Sequence, residues 1–122
     1  MRGIKAYKKQ RVQHASKEAL VLRLFETAIL KLWEGHSHIS NSNKIESVEP
    51  LRIARQIIFE LYASLDHEEG GDLTAQLQQL YLWIIKEIAS AGFKGDTESL
   101  ESVILVLDNI YSGFKEAFAQ TE

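Results

Sequence analysis

The residues of this chain best suited to holding an ion or moving a proton are four histidines and one acidic cluster. The histidines are His14, His36, His38 and His67, and none of them sits in a long periodic segment. His36 and His38 could touch one ion, but two ligands in a Ser/Asn-rich stretch are short of the three or four that a zinc site needs, so they read as solvated side chains. Asp66, Glu68, Glu69 and Asp72 lack the ordered ligand template of a calcium loop and read as a solvated turn. A di-iron site in a helical bundle would need Glu-x-x-His and inward glutamates repeated on two helices, and neither is present. There is no cysteine nucleophile, no G-x-S-x-G and no glycine-rich phosphate loop after a strand. The chain is expected to hold no metal, to use no cofactor and to catalyse no reaction.

Composition narrows the class further. A chain of 122 residues with 45% hydrophobic and 25% charged residues fits one globular domain, and seven Gly with one Pro are few for a β-rich or disordered protein. A net charge of -3 argues against nucleic acid as a partner, because phosphate binding rests on clustered positive charge. No run of about 18 apolar residues is present, and the opening residues carry no apolar signal core, so neither membrane insertion nor export of the chain itself is expected and its place is the cytoplasm.

The elements are organised around Leu80-Tyr81-Leu82-Trp83-Ile84-Ile85, six large apolar or aromatic residues in the third of four helical segments. Leu73, Leu77, Leu80, Tyr81, Ile84 and Ile88 follow the i, i+3, i+4, i+7 spacing of a core stripe. The first helix is expected over 16–33, with Ser16 at its start, Gly35 at its end, and Leu20, Val21, Leu24, Phe25, Ala28, Ile29 and Leu32 inward. A connection over 36–47 follows. Ser47 is placed to cap a second helix with Pro50 in its first turn and Leu51, Ala54, Ile58, Leu61 and Leu65 as its seam. Gly70-Gly71 separates this helix from the third, and Gly92 and Gly95 close the third. Asp96 caps a fourth, in which Leu100, Val103, Ile104, Leu107, Ile110, Tyr111, Phe114 and Phe118 face the core. The fold expected is all-α: an antiparallel four-helix bundle over 16–122, preceded by a loosely held basic arm over 1–15 that carries Ile4, Tyr7 and Val12.

Two strips are left over. On the third helix Leu82, Ile85 and Ala89, with Ala75, fall beside the core stripe. On the fourth, Ser102, Val106, Asn109, Gly113 and Ala117 line up with Leu105 alongside, uncharged and mostly small where a solvent face normally carries charge. Both strips serve equally well as core against the first two helices or as a hydrophobic groove for a segment of another protein.

The segment Ala6-Tyr7-Lys8-Lys9-Gln10-Arg11-Val12-Gln13-His14-Ala15-Ser16-Lys17-Glu18-Ala19-Leu20 resembles the opening of the FliS family, the flagellar secretion chaperones for flagellin. Ala54-Arg55-Gln56-Ile57-Ile58-Phe59-Glu60-Leu61, then Ser64-Leu65-Asp66, Gly70-Gly71 and Leu80-Tyr81, are similar to that family's signatures in order and spacing. His14 and Lys17 stand where the family commonly has Thr and Pro. Phe25-Glu26-Thr27 replaces Tyr-Asp-Gly, and Phe114 replaces Trp.

The resemblance implies a non-enzymatic cytoplasmic chaperone that binds the disordered C-terminal segment of flagellin and keeps it from polymerising before export. The binding groove would be formed by Leu82, Ile85, Ala89, Ser102, Leu105, Val106, Asn109 and Gly113. The arm, through Ile4, Tyr7 and Val12, would cover it when no client is bound. The flagellar export gate stands as a second partner, and the chain is expected as a monomer or weak homodimer. The alternatives are a helical-bundle homo-oligomer or an adaptor for another export substrate.

Overall fold

The computed structural model describes the backbone of residues 2–66 and 70–120 and the side chains of residues 17–66 and 70–120. Four helices make up the described chain: α1 (Arg2–Ser40), α2 (Lys44–Ala63), α3 (Gly71–Lys94) and α4 (Thr97–Gln120). Each packs on the next and α4 returns to α1, which makes the expected antiparallel four-helix bundle. Phe25, Ala28 and Leu32 of α1, Leu51, Ala54, Ile58 and Leu61 of α2, Tyr81, Ile84, Ile88 and Ala91 of α3, and Leu100, Val103 and Leu107 of α4 form the core.

The first helix is longer than its apolar stripe. It runs for 39 residues, against 24 for α3 and α4, and so spans about 58 Å at the usual rise. The segment over 1–15 is helical from Arg2 onward, so Ser16 lies inside α1 and is not its cap. Lys, Arg, Gln and Ala sustain a helix without any apolar period, which explains why periodicity stopped short. The side chains of Ile4, Tyr7, Val12 and Ser16 lie outside the described residues.

At its other end α1 passes through Gly35 and continues to Ser40. Gly35 is buried, and a Cβ there would stand 2.7 Å from Leu51 Cγ, so the glycine serves the close approach of α2 and not the end of a helix. The reversal is only Asn41–Asn43. Ser42 takes a left-handed φ of 62°, its N–H bonds to the Ile39 carbonyl at 3.0 Å, and the Asn43 N–H bonds to the His38 carbonyl at 2.7 Å. This is a Schellman closure with serine at the position glycine usually takes. Because α2 then starts at Lys44, Pro50 sits inside the helix and not in its first turn, and Ser47 is not a cap. Ser47 is buried, and its hydroxyl donates to the Lys44 carbonyl at 2.6 Å.

The α3–α4 turn follows expectation more closely. Gly95 takes a φ of 69° and the Asp96 N–H bonds to the Ala91 carbonyl. Asp96 accepts from the Ser99 N–H at 3.1 Å and from its hydroxyl at 2.7 Å, which holds the Asp96 carboxyl below its usual pKa. The α3 helix runs on to Lys94 through Gly92, which packs on Leu51. Three residues read as core are exposed instead: Leu20, Leu73 and Leu80. Leu73 stands in the first turn of α3, at the edge of the bundle.

Two outcomes follow from this packing. Gly35→Ala gains helix propensity but drives a methyl into buried Leu51, and it should lower the unfolding free energy by about 1–2 kcal/mol in urea titrations. Burial pushes the Tyr81 phenol up to about 12. The neutral form is favoured in the folded chain, so this contribution is present below the ordinary tyrosine value and is lost as pH rises toward 12. Urea titrations at rising pH should show about 2–3 kcal/mol disappearing between about pH 10 and 12, and Tyr81→Phe should abolish that loss.

Candidate functional site

Helix α3 is flanked differently on its two sides. Tyr81, Ile84 and Ile88 point inward, and rotation by about 100° per residue places Ile85, Leu82, Ala89 and Phe93 on one flank and Leu80 and Trp83 on the other. The first flank faces α2. The Gln78 amide donates to the Tyr62 hydroxyl at 3.0 Å, and Lys44 Nζ lies 5.4 Å from the centre of the Phe93 ring. Between these two contacts a cavity of about 340 Å³ opens, lined by Val48, Leu51 and Arg55 of α2 and by Ile88, Ala89, Gly92 and Phe93 of α3. Toward the other end of the helix pair, rotation places Ile85 and Leu82 on the same flank of α3 as Ala89.

The α4 strip lies elsewhere. Helix α4 meets α1 through Tyr111, whose hydroxyl donates to Glu26 Oε1 at 2.5 Å, and through Glu101, which stands 3.0 Å from His36 Nε2. The glutamate beside it holds the Tyr111 phenol above its usual pKa. Ser102, Val106, Asn109, Gly113 and Ala117 fall on the opposite flank of α4, toward α3 and the side that carries Leu80 and Trp83. Ser102, Leu105, Asn109 and Gly113 are exposed, and Val106 is partly buried against the core.

The residues singled out in the sequence therefore form two faces. Ala89 lines the α2–α3 cavity, with Ile85 and Leu82 on the same flank of α3, while Ser102, Val106, Asn109 and Gly113 lie on the α3 side of α4 and Leu105 on its outward side. Ile4, Tyr7 and Val12 lie outside the described side chains. Sequence reading missed Val48 and Phe93, which line the cavity, and assigned Leu80 to the core when it is exposed. The signal was there for α2: Val48 and Phe59 are large apolar residues off the Leu51–Leu61 seam.

The α2–α3 cavity is lined mostly by apolar side chains, the α4 strip carries no charge, and no described group of His, Asp or Glu could hold a metal ion. No described helix is long and apolar enough to cross a membrane.

A family model described as "Flagellar protein FliS" matches residues 1–121. The chain belongs to the FliS family. It is 34% identical over 121 residues to the flagellar secretion chaperone FliS of Vibrio cholerae serotype O1, a match that covers 95% of this chain and 89% of that one. The Salmonella typhimurium flagellar secretion chaperone FliS is 31% identical over 93% of this chain and 88% of its own length. The Pseudomonas aeruginosa flagellar secretion chaperone FliSB is 26% identical over 93% and 94%. Two of the departures from the FliS pattern noted in the sequence turn out to touch: the Phe25 and Phe114 rings stand 5.3 Å apart. Both changes keep an aromatic ring, and the α1–α4 seam stays filled.

If the two faces are surface, truncating them is cheap. Leu82→Ala and Leu105→Ala should each change stability by no more than about 0.5 kcal/mol, whereas Ile84→Ala, two positions from Leu82 but buried, should cost about 2–5 kcal/mol by urea denaturation.

Proposed function

We propose that this member of the FliS family is an export chaperone without enzymatic activity that binds the disordered C-terminal segment of flagellin in the cytoplasm. The observation that carries this reading is the pair of uncovered apolar faces on either side of α3. A disordered segment folds as it binds and spreads its contacts over a large wrapped area, and two separated faces suit that mode better than one compact pocket. Apolar repeats of such a segment, once covered, cannot pair with those of another subunit. The segment over 1–15, with Ile4, Tyr7 and Val12, is the piece of this chain that supplies cover when no client is present. Docking of the loaded chaperone to the flagellar export gate completes the reading.

Calorimetric titration with a peptide of about forty residues from the C-terminus of the organism's own flagellin tests it. The expected result is one-to-one binding with a large negative heat-capacity change. Leu82→Glu and Leu105→Glu should weaken binding by at least about tenfold while leaving the melting temperature close to that of the parent chain. These two positions separate binding from stability better than Ile85 and Val106, which also pack on the core. Absence of heat at every temperature, in the parent chain and in Tyr7→Ala, would overturn the reading. Sedimentation of the client-free chain as a tight dimer at micromolar concentration would instead favour the homo-oligomer.

A further inference from the structure

The α2–α3 groove is not electrically neutral at its rim. Lys44 and Arg55 both border the cavity, and neither forms an ion pair among the described residues. Lys44 is exposed and poised over the Phe93 ring. The carboxylates of α2 are turned away: Glu46, Glu49 and Glu60 fall on the far flank of the helix, and Glu49 is taken up by Arg52 at 2.6 Å. Glu87 of α3 lies on the flank that faces α4. Among the described residues, a chain of net charge -3 thus presents two unpaired cations, and no carboxylate, along one apolar groove.

The cavity floor also admits a bulky side chain. The cavity measures about 340 Å³, and Ala89 at its wall contributes only a methyl group. Lys44 and Arg55 are eleven residues apart on one helix, hence about 16 Å along its axis.

We propose that this groove takes an amphipathic acidic segment of the export client, with one bulky apolar side chain filling the α2–α3 cavity and two carboxylates about 16 Å apart meeting Lys44 and Arg55. The inference rests on the chaperone reading for the identity of the occupant, but not for its chemistry. In a helical occupant the two carboxylates lie about eleven positions apart, and in an extended one about five.

The test uses the full chain and a designed helical peptide of about 20 residues carrying a leucine stripe and two glutamates eleven apart, beside a counterpart with glutamine at both positions. At low salt the glutamate peptide should bind about three- to tenfold more tightly, a preference that shrinks with added salt. Lys44→Gln with Arg55→Gln should abolish the preference without changing the melting temperature, and Ala89→Trp, which fills the cavity, should weaken both peptides. Equal binding of the two peptides, a preference that survives in the double variant, or no binding of either would overturn the proposal. The flagellin peptide is titrated in parallel. If it binds but ignores both cations and salt, the proposal falls and the chaperone reading stands. If it fails to bind while the glutamate peptide shows the full preference, the groove chemistry stands and the flagellin reading falls.

Discussion

Leu51 stands between two glycines, and the spacing of three helices depends on it. On one side its branched end lies against Gly35 of α1, and on the other against Gly92 of α3. A methyl at Gly35 would overlap Leu51, and one at Gly92 would meet its Cδ1 at 3.0 Å, so packing is close where this leucine meets bare backbone. The Asn41–Asn43 reversal makes this possible. With Ser42 in the left-handed region, α2 begins at once and brings Leu51 level with Gly35. The same leucine forms part of the floor of the α2–α3 cavity. The element that sets helix spacing thus also shapes the groove.

The four seams of the bundle are not alike. Between α1 and α4, Phe25 packs on Tyr111 and Phe114, Tyr111 is tied to Glu26 and His36 meets Glu101, so aromatic rings and polar pairs close that seam from core to surface. Across α2–α3 the Gln78 amide meets the Tyr62 hydroxyl and Lys44 lies over the Phe93 ring. The α2–α3 seam holds a cavity, and α3–α4 is the sparsest of the four pairings. Helix α3 is therefore the one with apolar residues left over on both sides. Leu82 at 47% exposure, Trp83 at 40% and Phe93 at 81% are too many large side chains on one helix to be incidental.

The charge pattern follows the same division. Salt bridges on α1 and α2 are local, Lys31 with Glu34 and Arg52 with Glu49, and sit on solvent-facing positions where they contribute little to stability. The groove side of α2 keeps its cations without acids. Electrostatics here bears on what approaches the surface more than on what holds the bundle together.

Much of this was readable from the chain itself. Periodicity identified four helices, because a stripe at 3.6-residue spacing must be buried against something, and the seam of α2 from Leu51 to Leu65 lies in or against the core as expected. The Asp96 cap and the family signatures were equally legible, being local patterns that need no knowledge of neighbours. The strips on α3 and α4 could be seen as surplus, but not placed: which flank of a helix faces which partner is a property of the packing. Gly35 read as a helix end because a glycine signals either a break or a close approach, and only the position of Leu51 distinguishes them. Ser47 and Pro50 were misplaced for a related reason, since the tightness of a reversal is set by one left-handed serine that composition does not announce. The sequence by itself determined the number of helices and the apolar surplus on them; tertiary packing alone decided that the surplus forms two faces, because faces arise between helices and not within them.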